Sequence, residues 1–70
     1  EAVEAQAKIE TAIEEGGISE ADAAELAKAQ GLDSRVVSRD GEPLAVTSDF
    51  RPDRLNFTVN DNWVTEVSIG

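Results

Sequence analysis

The chain of 70 residues contains no cysteine and no histidine, and it has a single tryptophan. Without cysteine no disulfide can stabilise the fold, and without either residue the usual ligands of a zinc site are missing. Stability must therefore come from one small apolar core, for which we expect valine, isoleucine and leucine side chains with Phe57 and Trp63. No nucleophile–base set is evident, so we expect neither an enzyme nor a bound metal or other cofactor.

Basic residues are also scarce. Six Lys and Arg stand against fifteen Asp and Glu, for a net charge of -9. Phosphate binding needs clustered positive charge, so this balance argues against a nucleic-acid partner. The acidic residues are best explained as a solvated helix surface. No apolar run approaches membrane-spanning length, and we expect a monomer that does not bind membranes.

The first half of the chain is rich in alanine and glutamate and predicts two helices. Apolar residues recur at helical spacing over residues 2–15, and Gly16-Gly17 ends that pattern. Ser19 followed by Asp22 resembles a capping box, so a second helix is predicted over residues 20–30, ending at Gly31.

The second half predicts strands. Residues 35–39 contain the β-branched pair Val36-Val37 and predict a strand. Residues 55–59 alternate between apolar and polar, and residues 63–69 form a last strand with Trp63, Val67 and Ile69 on one face. Asp61-Asn62 suits a tight hairpin turn. The pattern predicts one α+β domain over residues 1–70, with a helical part over 1–31 and a sheet with a loop over 34–70.

One run of nine residues carries most of the functional information: Val46-Thr47-Ser48-Asp49-Phe50-Arg51-Pro52-Asp53-Arg54. It places a threonine, an acid and two arginines between two predicted strands. We interpret it as an exposed loop that arginines hold in one conformation. The alternative is an ordinary surface ion pair, which contributes about 0–1 kcal/mol.

This run resembles the binding loop of the potato inhibitor I family of serine protease inhibitors, and it is most similar to the family's microbial branch. The family pattern is met by the residues Val46, Thr47, Asp49, Arg51 and Arg54. The resemblance covers the C-terminal part of the chain from residue 41 onward. The helical first half fits it loosely, because the family usually has one main helix.

The resemblance implies a fold and a set of roles. The helices would pack on a small mixed sheet of about three strands, as an α/β sandwich, with the binding loop between two parallel strands. The bond Ser48–Asp49 would be the reactive bond. Protease contacts would come from Ala45, Val46, Thr47, Ser48, Asp49 and Phe50, and loop support from Arg51, Arg54 and Asn56. The partner would be a subtilisin-like serine protease, or a chymotrypsin- or elastase-like one.

Three features depart from the family pattern. Asn56 occupies a position where members often have an arginine, so one support is either missing or replaced by an amide hydrogen bond. The segment before the loop is about two residues longer than usual, which would make the loop looser or shift it against the enzyme. Ser48 is small where many members have a large apolar side chain.

Three functions therefore stay open from the sequence. The first is a reversible, substrate-like protease inhibitor. The second is a propeptide-like module that binds subtilisin through its C-terminal tail and assists its folding. The third is a non-inhibitory interaction domain that retains the loop.

Overall fold

The computed structural model describes residues 2–70. Its elements, in chain order, are the helices α1 (Ala2–Glu14) and α2 (Glu20–Ala29) and the strands β1 (Asp33–Arg39), β2 (Glu42–Pro43), β3 (Arg54–Asn60) and β4 (Trp63–Ile69). The predicted α+β class is confirmed, with two helices before a small mixed sheet. Residue 1, which the predicted domain and its helical part included, lies outside the described residues.

Both helices end just before the predicted glycines, and α2 begins at its predicted cap. Gly16 and Gly17 both have positive φ, 131° and 113°, shortly after α1, a conformation that glycine adopts without strain. Ser19 caps α2, because its hydroxyl accepts a hydrogen bond from the backbone N–H of Asp22 at 3.1 Å.

The sheet has the strand order β2-β1-β3-β4, with β1 parallel to β3 and the other two pairs antiparallel. This is one strand more than the predicted number of about three. The extra strand β2 exists because Asp40 and Gly41 both adopt positive φ, 54° and 84°, and form a tight turn. Part of the long segment before the loop is therefore a hairpin within the sheet.

The prediction that Trp63 belongs to the core is wrong, since 51% of its surface is exposed. The pairing of β3 with β4 shifts by one residue between Thr58 and Val59, so that Thr65 is an extra residue in β4. This bulge places Val64 and Val67 inward, three positions apart, and breaks the strict alternation on which the prediction relied.

A second irregularity, at Val37 in β1, turns the last residue of that strand toward the helices. Val36 pairs with Phe57 but Ser38 pairs with Thr58, so Val37 has no partner in the register. Arg39 then reaches α2, where its guanidinium donates two hydrogen bonds of 2.8 Å to the carboxylate of Glu20. The pair connects the sheet to the first turn of α2.

The molecule has two layers and measures 31 × 28 × 15 Å. One face of the sheet packs on both helices, and the buried core consists of Ala2, Ala5, Ile9, Ala23, Ala27, Leu55, Phe57, Val59, Val64 and Val67. Because side chains alternate along a strand, Arg54 and Asn56 lie on the other face of β3. That polar face is where the loop between β2 and β3 contacts the sheet. No helix within residues 2–70 is long and apolar enough to cross a membrane.

Candidate functional site

The candidate site is the loop of residues 44–53, which connects β2 to β3 and contains no helix or strand. Its two ends are fixed to the sheet by backbone hydrogen bonds. The N–H of Leu44 donates to the carbonyl of Val37 at 3.0 Å, and the carbonyl of Asp53 accepts from the N–H of Asp33 at 2.9 Å. Between these points every residue from 44 to 50 is exposed.

Arg35 of β1 contacts the first part of the loop. Its Nη1 donates to both the backbone carbonyl and the side-chain oxygen of Thr47, each at 3.2 Å. Its Nε donates to Oδ1 of Asn56 at 2.7 Å. Asn56 lies directly opposite Arg35 in the parallel pairing of β1 with β3, so the register brings the two side chains together.

Arg54, the first residue of β3, contacts the second part of the loop. Its Nη2 donates to the backbone carbonyl of Asp49 at 2.7 Å, and its Nε donates to the carbonyl of Gly70 at 3.1 Å. Gly70 follows β4, and its N–H donates back to the carbonyl of Arg54 at 3.0 Å. Arg54 is only 8% exposed, and its guanidinium therefore connects the loop, β3 and the end of β4 in a site that water reaches poorly.

The hydrogen bond to the carbonyl of Asp49 matters more than the ion pair with its carboxylate. The nearest carboxylate oxygen lies 3.6 Å from Nη2, and the Asp49 side chain is 55% exposed. Exposed ion pairs contribute about 0–1 kcal/mol, whereas a hydrogen bond from a charged donor contributes about 1.5–3 kcal/mol. The main chain at Asp49 is thus held more firmly than its side chain.

Thr47 and Asp49 also contact each other across Ser48. A hydrogen bond from the Thr47 side chain is the main reason that the pKa of Asp49 lies below its ordinary value of 3.8, and Arg54 and Arg35 lower that pKa further by their charge. The Thr47 side chain therefore favours the charged form of the Asp49 carboxylate.

Arg51, predicted to support the loop, contacts its C-terminal end. Its guanidinium donates to both carboxylate oxygens of Asp53, at 3.2 and 3.1 Å, and lies 3.0 Å from the carboxylate of Asp33. These contacts fix the exit from the loop to the start of β1 rather than supporting Thr47 or Asp49. Its backbone N–H donates to the carbonyl of Gly70 at 3.2 Å, a contact that any residue could make.

Sequence reasoning missed Arg35 and assigned Asn56 only in outline. The amide of Asn56 does make hydrogen bonds, as one of the two predicted alternatives had it, but neither is to the loop: its oxygen accepts from Arg35 and its nitrogen donates to Ser68. No local sequence signal marks Arg35. The parallel register between β1 and β3 places it beside Asn56, from where its guanidinium reaches Thr47.

No group of His, Cys, Asp or Glu within residues 2–70 is arranged to hold a metal ion. Comparisons with protein-family models, with curated proteins and with solved structures each find no match to this chain. The function must therefore be argued from the geometry of the loop and the resemblance of its residues.

The lowered pKa of Asp49 predicts a loss of loop order in acid. Because the folded state favours the carboxylate, its contribution is complete above the ordinary pKa of 3.8 and is lost as the pH falls through the lower folded-state value. NMR order parameters for residues 46–50 should fall between about pH 5 and about pH 2. In Asp49→Asn these order parameters should be low at the upper pH as well and change little; equal behaviour of both proteins would contradict the prediction.

Proposed function

We propose that this protein is a reversible, substrate-like inhibitor of serine proteases, most suited to subtilisin-like enzymes, with Ser48–Asp49 as the reactive bond. One observation carries the proposal. The residue before Ser48 is held by Arg35 and the residue after it by Arg54, while Ser48 itself is exposed between them. A loop fixed on both sides of one accessible bond is suited to bind a protease without releasing the cut ends.

The mechanism follows from the fate of the leaving group. When the protease serine attacks the carbonyl carbon of Ser48, the Ser48–Asp49 bond breaks and the amine of Asp49 is released from the acyl group. In a flexible peptide this amine diffuses away, and water hydrolyses the acyl-enzyme. Here the carbonyl of Asp49 stays hydrogen-bonded to Arg54 at 2.7 Å. The amine therefore remains close to the acyl carbon at a high effective concentration, and re-formation of the bond outcompetes hydrolysis.

The apolar side chains of the loop supply a surface for a partner. Within residues 2–70, the large apolar residues exposed to solvent are Val3, Leu44, Val46, Phe50 and Trp63, and three of these five lie in the binding loop. Phe50, two residues after Ser48, is 71% exposed. Exposed apolar side chains concentrated in one loop are typical of an interaction site, and aromatic residues often supply much of the binding energy there.

A propeptide-like module is the second candidate, but the contacts of Gly70 favour the loop. In a propeptide the C-terminal tail would enter the protease as an extended strand. Here β4 is paired with β3 up to Ile69, and the carbonyl of Gly70 accepts hydrogen bonds from Arg54 and from the N–H of Arg51. Binding a protease through residues 63–70 would require these contacts to break, whereas loop binding leaves them intact.

Titration of subtilisin with the protein should abolish activity at close to one-to-one stoichiometry. Chymotrypsin and elastase tested in parallel would define the range of targets. An isolated peptide of residues 63–70 should not inhibit, which separates loop binding from binding through that segment. Absence of inhibition at micromolar protein across several subtilisin-like enzymes would refute the proposed function.

Ser48→Leu should strengthen binding to proteases that have a large apolar specificity pocket. Burying a leucine side chain contributes about 1.5–3 kcal/mol, which is roughly a ten- to hundredfold lower inhibition constant. Ala29→Leu adds a leucine at an exposed position of α2 and serves as the matched control. Equal inhibition constants for the parent and Ser48→Leu would show that Ser48 does not enter the pocket.

Arg54→Ala should convert the inhibitor toward a substrate. Losing the hydrogen bond to Asp49 removes about 1.5–3 kcal/mol of restraint on the leaving segment. Incubation with subtilisin followed by mass spectrometry should show faster cutting between Ser48 and Asp49. Arg51→Ala removes the same charge from contacts with Asp53 and Asp33, and it should be cut at nearly the parent rate. Circular dichroism checks that both variants are folded; a folded Arg54→Ala as resistant as the parent would disprove the mechanism.

A further inference from the structure

Arg35 lies in β1, outside the loop, and its guanidinium contacts Thr47, the residue before Ser48. Asn56 accepts from Nε at 2.7 Å and so orients the guanidinium, because the planar group fixes the direction of its other N–H bonds once one is held. Nη1 then points at Thr47, where it meets both the backbone carbonyl and the side-chain oxygen at 3.2 Å. Asn56 thus contacts Arg35, and Arg35 in turn contacts Thr47.

The hydroxyl of Thr47 continues these hydrogen bonds to Asp49, on the other side of the reactive bond. A hydroxyl has one hydrogen to donate and accepts through its lone pairs. Since the oxygen of Thr47 accepts from Arg35, its hydrogen is free to be donated to the carboxylate of Asp49. A donor that is itself accepting a charge-assisted hydrogen bond is polarised and donates more strongly.

We propose that Arg35, oriented by Asn56, is a positioning residue that fixes Thr47 and directs its hydroxyl to the carboxylate of Asp49. Arg35 and Arg54 thereby hold the two sides of the Ser48–Asp49 bond from two neighbouring parallel strands. This inference deepens the proposed inhibitory function and rests on it for its effect on proteolysis. The contacts of Arg35 with Asn56 and Thr47 belong to the free protein, so this part of the inference can be tested without any protease.

The choice of arginine is specific to this geometry. One guanidinium donates through Nε to Asn56 and through Nη1 to Thr47, in two directions at once. Lysine has the charge but presents it as a single ammonium group, without the rigid fork. Arg35→Lys therefore separates the role of charge from the role of position.

The first test measures the loop in the free protein. In Arg35→Ala the NMR order parameters at residues 46–50 should fall, and the carboxyl carbon of Asp49 should titrate at a higher pKa than in the parent. Arg35→Lys should restore only part of both properties. Arg39→Ala removes an arginine from the same strand, but its partner is Glu20 of α2, so this control should change neither readout.

Asn56 provides a matched pair of variants. Asn56→Ala removes the acceptor that orients Arg35 and should loosen Thr47 in the same way as Arg35→Ala. Asn56→Asp keeps an oxygen at that position and should preserve the order of the loop. A role of Asn56 in general stability alone would instead change the melting temperature without changing the Asp49 titration.

The second test measures proteolysis. Arg35→Ala should be cut by subtilisin between Ser48 and Asp49 about tenfold faster than the parent, a factor typical of one lost charge-assisted hydrogen bond. Unchanged loop order and Asp49 titration in Arg35→Ala, or their complete restoration by Arg35→Lys, would overturn the inference. If the parent inhibits no protease, the proposed function fails, and the NMR measurements still decide the role of Arg35.

Discussion

The guanidinium of Arg54 is the group on which the exposed half of the structure depends. It is buried, and it donates to the main chain of Asp49 in the loop and of Gly70 at the end of β4. A buried charge without partners is strongly unfavourable, so these carbonyls are needed for the fold as well as for the loop. The same guanidinium is bonded to the loop and to the end of β4. Detaching the loop from the sheet would therefore leave a buried charge with fewer partners and would destabilise the fold.

One face of the sheet forms the apolar core, and the other face holds the loop. The face toward the helices contains the apolar core, with Ile9 of α1 and Phe57 of β3 almost fully buried. A chain of 70 residues cannot build a second core on the other face. Arginine and asparagine cover that face instead, and their directional hydrogen bonds fix a loop that has little apolar contact of its own. The parallel pairing of β1 with β3 is essential, because it sets Arg35 and Arg54 on adjacent strands beneath the loop.

The arginines of the loop region differ in importance because of what they contact. Arg51 pairs with exposed carboxylates, and such pairs contribute about 0–1 kcal/mol. Arg35 and Arg54 donate to backbone carbonyls of the loop, which cannot move away without the whole segment moving. Charge alone therefore does not identify the supporting residues; the position of the acceptor does.

The sequence by itself determined the helices, three of the four strands and the location of the loop. These depend on local signals: the glycines after α1, the serine cap of α2, the turn at Asp61-Asn62 and the alternation along β3. Only the tertiary structure decided which side chains contact the loop. The bulge in β4 exposes Trp63 although the alternation predicted burial, since one extra residue reverses the face of those beyond it. Arg35 joins the site only through pairing with a strand far along the chain, a non-local register that no single segment of sequence specifies.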